Sequence, residues 1–157
     1  MFSVGSKIVH PMHGAGIIQK IEEKRILGNV KKYYILKLPC NDMNVMIPVD
    51  SEQSVGIRKI VDESVARKAI EYLGTDSTHM DSNWNRRYRE NMQKIKSGDI
   101  FQVAEVVKNL IRVSREKGLS AGETKMLNNA RQILISEIIL SCGFSQSDAE
   151  KIVEDAV

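Results

Sequence analysis

NVMIPVDSEQSVGIRKIVDESVARKAIEYLG, residues 44–74, changes its hydrophobic period part-way along. Up to Ile60 the apolar residues come in short runs of Val, Ile and Met, broken by Pro48 and by turn formers at Asp50 to Gln53; this is the pattern of short strands, NVMIPV and then VGIRKI. From Asp62 the period lengthens. Val65, Ala66, Ile70 and Leu73 fall near helical spacing, Asp62 stands where a helix is capped, and Gly74 stands where one stops. The chain changes from strand-forming to helix-forming close to residue 61.

Upstream, SKIVH, AGIIQKIEE and KKYYILKL are further short runs rich in Val, Ile, Leu and Tyr. They are separated by Pro11, Gly14, the pair Gly28-Asn29, and Pro39 to Asp42, all residues that favour turns. Alternation in AGIIQKIEE is imperfect, but closely spaced short strands predict a small antiparallel barrel or sandwich rather than a parallel sheet. Downstream, residues 75–83 form a polar loop and a helix follows from about Trp84 to Lys96. Ser97 to Asp99 ends that helix and caps the next, in which Ile100, Val103, Ala104, Val107, Leu110 and Ile111 share one face up to Gly118. Ser120 with Glu123 is a capping box that opens a long helix, and the apolar run ILISEIIL near its end belongs at the centre of a second core. Ser145 and Asp148 start a last short helix reaching about Asp155. The expected fold class is α+β with two domains, a β module over residues 1–60 and an all-α helical bundle over residues 61–157, without internal repeats.

The 157 residues are 42% hydrophobic and 27% charged, the balance of a chain that buries a core in water. No apolar run approaches the roughly 20 residues of a membrane-spanning helix, and the start MFSVGSKIVH does not resemble a leader peptide, so the chain reads as cytoplasmic. Cys40 and Cys142, without CxxC spacing, read as free thiols. The net charge of +3 is unevenly placed. Residues 61–82 carry two Lys/Arg against five Asp/Glu, whereas residues 83–96 carry five against one. Dense positive charge in one short window directs attention to nucleic acid.

Nothing in the sequence supports an enzyme. His10, His13 and His79 have no recognisable catalytic context, and His10-x-x-His13 has no third ligand at useful spacing, so no metal and no cofactor are expected. HGAG, residues 13–16, lacks the residues that complete a phosphate loop; its glycines are expected to permit positive φ in a tight turn.

The informative segment is DSNWNRRYRENMQKIKSGD, residues 81–99. At about 100° per residue Trp84, Tyr88, Met92 and Ile95 lie along one stripe, while Arg86, Arg87, Arg89, Lys94 and Lys96 occupy the remaining arc. On one account the stripe packs inward and the charges are solvated. On the other, Trp84 in the first helical turn projects beyond the core as a wedge into the minor groove, while the basic side chains reach phosphates.

GSKIVHPMHGAGII, NWNRRYRENMQKIKSGDIFQVAEVVKNL and KGLSAGETKMLNNARQILISEI together resemble the CarD or CdnL regulators of bacterial transcription, and the likeness covers nearly the whole chain. The resemblance implies a Tudor-like N-terminal domain that grips the β subunit of RNA polymerase. It implies a helical domain that touches promoter DNA at the upstream edge of the transcription bubble and stabilises the open complex. On matching positions, Trp84 is the wedge, and Arg86, Arg87, Arg89 and Lys125 are phosphate contacts. Polymerase contacts map to Lys24 and Arg25 on one strand and to Val45, Met46 and Ile47 on another. Some members carry a basic residue where this chain has Met46, so an apolar contact takes the place of an ionic one there. The resemblance suggests a monomer on polymerase, with residues 74–83 as a hinge through which a domain-swapped dimer would form. A second reading, a protein adaptor without a DNA wedge, makes Trp84 a core residue.

Overall fold

The computed structural model describes residues 1–40 and 43–157; the expected turn at Pro39 to Asp42 falls partly on Asn41 and Asp42, which lie outside the described residues. Strands β1 (Lys7–His10), β2 (Gly14–Ile26), β3 (Asn29–Lys37), β4 (Asn44–Pro48) and β5 (Arg58–Lys59) form one antiparallel sheet in the order β4-β3-β2-β1-β5. The antiparallel β module is as expected, but the sheet stays open, with β4 and β5 as its edges. The reason lies in the segment that joins them. A single 3₁₀ turn at Val49–Ser51 leads into α1 (Glu52–Val55), and Gly56 ends that helix in the left-handed region at φ 83°. The strand expected over VGIRKI is therefore shortened to two residues.

Alternation puts Ile8, Ile18, Tyr34, Leu36 and Ile47 into one sheet core with Leu38. A register shift between Ile18 and Lys20 accounts for the imperfect alternation in β2. The turn expected at Gly28-Asn29 sits one residue earlier. Leu27 (φ 51°) and Gly28 (φ 81°) are its two central residues, and Asn29 already pairs with Ile26. Two successive positive φ values match the twist of an antiparallel hairpin.

The helices are α2 (Glu63–Tyr72), α3 (Trp84–Lys96), α4 (Ile100–Glu116), α5 (Ala121–Cys142) and α6 (Gln146–Ala156). Their starts follow the local signals: Asp62, Asp99, Ser120 and Ser145 each accept a first-turn N–H on a side-chain oxygen. The run ILISEIIL is the centre of the second core, where Ile133, Leu134, Ile135 and Ile138 are buried with Val103, Val107 and Leu110 of α4.

α5 also packs on β2, and the two polar residues inside its apolar run make the joint. Ser136 Oγ accepts the Ala15 N–H at 2.8 Å. Glu137, 2% exposed, accepts from Arg58 through both oxygens at 2.7 and 2.8 Å and from the Val61 N–H at 2.9 Å. Gly14 has φ 94°, as expected of HGAG, and a β-carbon there would lie 2.6 Å from Ser136 Oγ. Gly16 does not have positive φ; it is needed because a β-carbon would come within 2.6 Å of the Lys37 carbonyl oxygen.

Candidate nucleic-acid interface

Trp84 is the first residue of α3, and Asn83 caps the helix by accepting the Arg86 N–H. The segment before it is held in place by a row of α4 side chains. Lys108, fully buried, donates to Thr75 Oγ1 at 3.1 Å and the Asp76 carbonyl at 2.9 Å, with its ammonium 4.0 Å from the centre of the Tyr72 ring. Asn109 accepts the Thr78 N–H and donates to Thr78 Oγ1, and Arg112 donates to Ser77 Oγ and the Leu73 carbonyl. The loop at residues 75–83 is thus tied to the helical core at several points.

Along α3, Tyr88 and Met92 are partly buried and Ile95 is fully buried, as the stripe predicts. Trp84 behaves differently. It is 43% exposed, stacks on Tyr88 with ring centres 5.2 Å apart and 24° between planes, and donates from Nε1 to Ser120 Oγ at 3.2 Å. One edge of the indole rests on the start of α5 and the ring stacks on Tyr88, while the remainder faces solvent. Two helix N-termini, those of α3 and α5, therefore meet beside one large exposed ring, and peptide N–H groups at such ends favour anions.

The basic residues divide by partner. Arg87 is held by Glu123 through two hydrogen bonds, 2.9 and 3.1 Å, and also donates to the Asp81 carbonyl. Glu123 raises the pKa of that guanidinium further. Lys94 is paired with Glu105 at 2.7 Å. Arg86 is 64% exposed at its side chain and reaches Asp81 at 3.3 Å. Arg89, Lys96 and Lys125 are exposed and, among the described residues, carry no ion pair. Sequence reasoning grouped Arg87 with the other cations of the outer arc, as a phosphate contact like Arg86 and Arg89. The capping box marked Glu123, but nothing local announced that an arginine 36 residues away would claim it.

Family models match the chain in two stretches: the CarD-like/TRCF RID domain over residues 2–61, and the CarD C-terminal domain over residues 68–154. The chain belongs to the CarD family. It is also 40% identical over 146 residues to a protein of Bacillus subtilis (strain 168) named "Putative transcription factor YdeB", covering 93% of this chain and 95% of that one. The family is one of CarD-like transcription regulators.

The residues that the CarD resemblance assigns to polymerase contact occupy different settings. Lys24 and Arg25 are exposed in the outer half of β2, opposite Lys31 and Val30. Met46 on β4 is 43% exposed, whereas Ile47 is 2% exposed in the sheet core and Val45 is partly buried against it. Lys24 and Met46 share a sheet face by alternation, separated by about 13 Å along β3. Arg25 points to the opposite face. Ile47 has only its backbone to offer a partner.

His10 and His13 lie with ring centres 4.5 Å apart, and His10 Nδ1 accepts the Met12 N–H at 3.1 Å. Burial, and after it the charge of His13, lowers the pKa of His10 to about 4. Among the described residues no group of three or more His, Cys, Asp or Glu side chains is arranged to hold a metal, and no helix is long and apolar enough to cross a membrane.

Proposed function

We infer that this chain is a non-enzymatic, cytoplasmic regulator acting as a monomer. Its β module, residues 1–60, binds the β subunit of RNA polymerase, and its helical module, residues 61–157, contacts promoter DNA at the upstream edge of the bubble. Trp84 is the wedge that keeps a distorted base step open from the minor-groove side. Unstacking a step costs about a few kcal/mol, which phosphate contacts must offset. Arg86, Arg89 and Lys125 supply those contacts directly. Arg87 belongs to the same surface but acts mainly by fastening α3 to α5 through Glu123.

The observation that carries this reading is the half-exposed indole at the start of a helix whose exposed face carries Arg86 and Arg89. A residue serving only the core would be covered, as Ile95 is. Binding of this kind is salt-sensitive and weakly sequence-specific, because lysine and arginine on phosphates read no base. On the β module, Lys24 and the apolar Met46 make the polymerase contact from one sheet face. Arg25 and the β4 backbone at Val45 and Ile47 complete it.

The test is open-complex lifetime on a promoter with purified polymerase, comparing no addition, the intact protein and Trp84→Ala. The expected outcome is a longer lifetime with the intact protein that the variant, folded and still bound to polymerase, fails to give. An equal extension by both would move the function to the adaptor reading.

A further inference from the structure

α3 carries the indole, but its position is set from elsewhere. Gly122, the second residue of α5, has the indole as its neighbour: a β-carbon there would lie 3.4 Å from Trp84 Cζ2 and 3.9 Å from Cη2, with no other atom within 4 Å. Glycine is the poorest helix former after proline, and the backbone at Gly122 is not among the left-handed ones that require it. A β-carbon alone would sit in ordinary contact with the ring, so what the glycine keeps clear is the space that a longer side chain would take from the indole. Two positions earlier, Ser120 Oγ accepts two donors, the Glu123 N–H and the Trp84 Nε1–H, both at 3.2 Å. Its own hydroxyl points to Glu123 Oε1 at 3.5 Å. That carboxylate is in turn held by Arg87, one turn along α3 from the tryptophan. Stacking on Tyr88 covers the ring from its own helix.

We propose that Ser120, the cap of α5, and Gly122, in its first turn, are positioning residues that set the height and angle of the Trp84 indole for its work on DNA. The proposal rests on the wedge reading above. An indole on a first-turn helical residue can turn about two side-chain bonds; the hydrogen bond from Nε1 and the contact of the adjoining Cζ2–Cη2 edge with Gly122 restrict that turning before DNA arrives. The angle of the wedge is then tied to α5, the long helix that packs on both α4 and β2, rather than to the end of α3 alone.

The full chain is tested as Gly122→Leu, Gly122→Ala, Ser120→Ala, Ser120→Thr and Trp84→Ala. Trp84 is the only tryptophan, so its emission and its quenching by acrylamide report this ring alone. Leucine at 122 suits a helix but displaces the ring; the expected result is red-shifted, more quenchable emission and loss of the open-complex extension with polymerase binding retained. Alanine at 122 just reaches the ring and leaves both readouts near those of the intact protein. Ser120→Ala moves emission the same way, and Ser120→Thr, which keeps both the cap and the acceptor, restores it. Unchanged emission in Gly122→Leu and Ser120→Ala overturns the seat. So does moved emission with the extension intact, provided Trp84→Ala loses it. If Trp84→Ala keeps the extension, the wedge reading fails, and emission alone then decides whether the seat exists. Should Gly122→Leu not fold, the alanine and threonine variants of Ser120 decide in the same way.

Discussion

Arg58 of β5 grips Glu137 of α5 through two hydrogen bonds, 2.7 and 2.8 Å, and adds a third to the Gly98 carbonyl at 2.7 Å. One guanidinium thereby joins the sheet, the long helix and the turn between α3 and α4. With Glu137 2% exposed, the pair fixes how the sheet and the helices are held relative to each other.

Replacing Glu137 by Ala leaves Arg58 and the Val61 N–H without their acceptor. Breaking a buried pair from one side costs about 3–5 kcal/mol. The Arg58 side chain is 30% exposed and regains some water, so the expected loss is about 3 kcal/mol. Urea unfolding followed separately by far-UV circular dichroism and Trp84 emission should also show the two probes parting. A loss below about 1 kcal/mol with coincident probes would assign the coupling to apolar packing of α5 on β2 instead.

Arg87 and Arg89 are two residues apart and should fail differently. On the proposed reading, Arg89→Ala and Lys125→Ala each lower the slope of log affinity against log salt by about 1, with folding unaffected. Arg87→Ala strands the buried carboxylate of Glu123 and lowers stability by about 2 kcal/mol. Binding to short forked DNA across a salt series, alongside thermal melts, separates them. Equal salt slopes for Arg89→Ala and the intact chain would remove Arg89 from the interface.

Gly14→Ala drives a β-carbon to 2.6 Å from Ser136 Oγ and 3.2 Å from Ile133 Cα while forcing alanine to φ near 94°. Overpacking costs about 1–3 kcal/mol, and the backbone strain adds to it. Gly118→Ala is the control: φ is 80° there, but nothing lies within 4 Å, so only strain remains. Denaturant midpoints should rank intact chain, Gly118→Ala, Gly14→Ala in falling order.

His10 predicts a pH dependence. Burial and His13 lower its pKa from 6.5 to about 4, so within that window the unfolded chain binds the proton that the folded chain refuses. Stability therefore falls as pH drops from about 6.5 to about 4. His10→Asn keeps an acceptor for the Met12 N–H and cannot titrate; its midpoint should decline less than that of the intact chain between about pH 7 and about pH 4.5. Parallel declines would place the acid sensitivity on the carboxylates.

The order of β1 to β4 and of α2 to α6, the switch of period near residue 61, the caps at Asp62, Asp99, Ser120 and Ser145, and the basic helix led by Trp84 were all legible along the chain. Each depends on residues a few positions apart, and turn, cap and amphipathic preferences act over that range. The open sheet was not legible, because a two-residue β5 follows from a helical turn closed by Gly56. The roles of polar residues were hidden for the same reason of distance. Ser136 and Glu137 look like interruptions of an apolar run until Ala15 and Arg58 reach them, the latter from 79 positions away. Arg87 and Arg89 look alike until Glu123 takes one of them, and Gly122 has no visible purpose until an indole lies on it. Whether a charge is solvated or paired, and whether a glycine is idle or needed, depends on what the fold brings within a few ångströms, and those partners come from far along the chain.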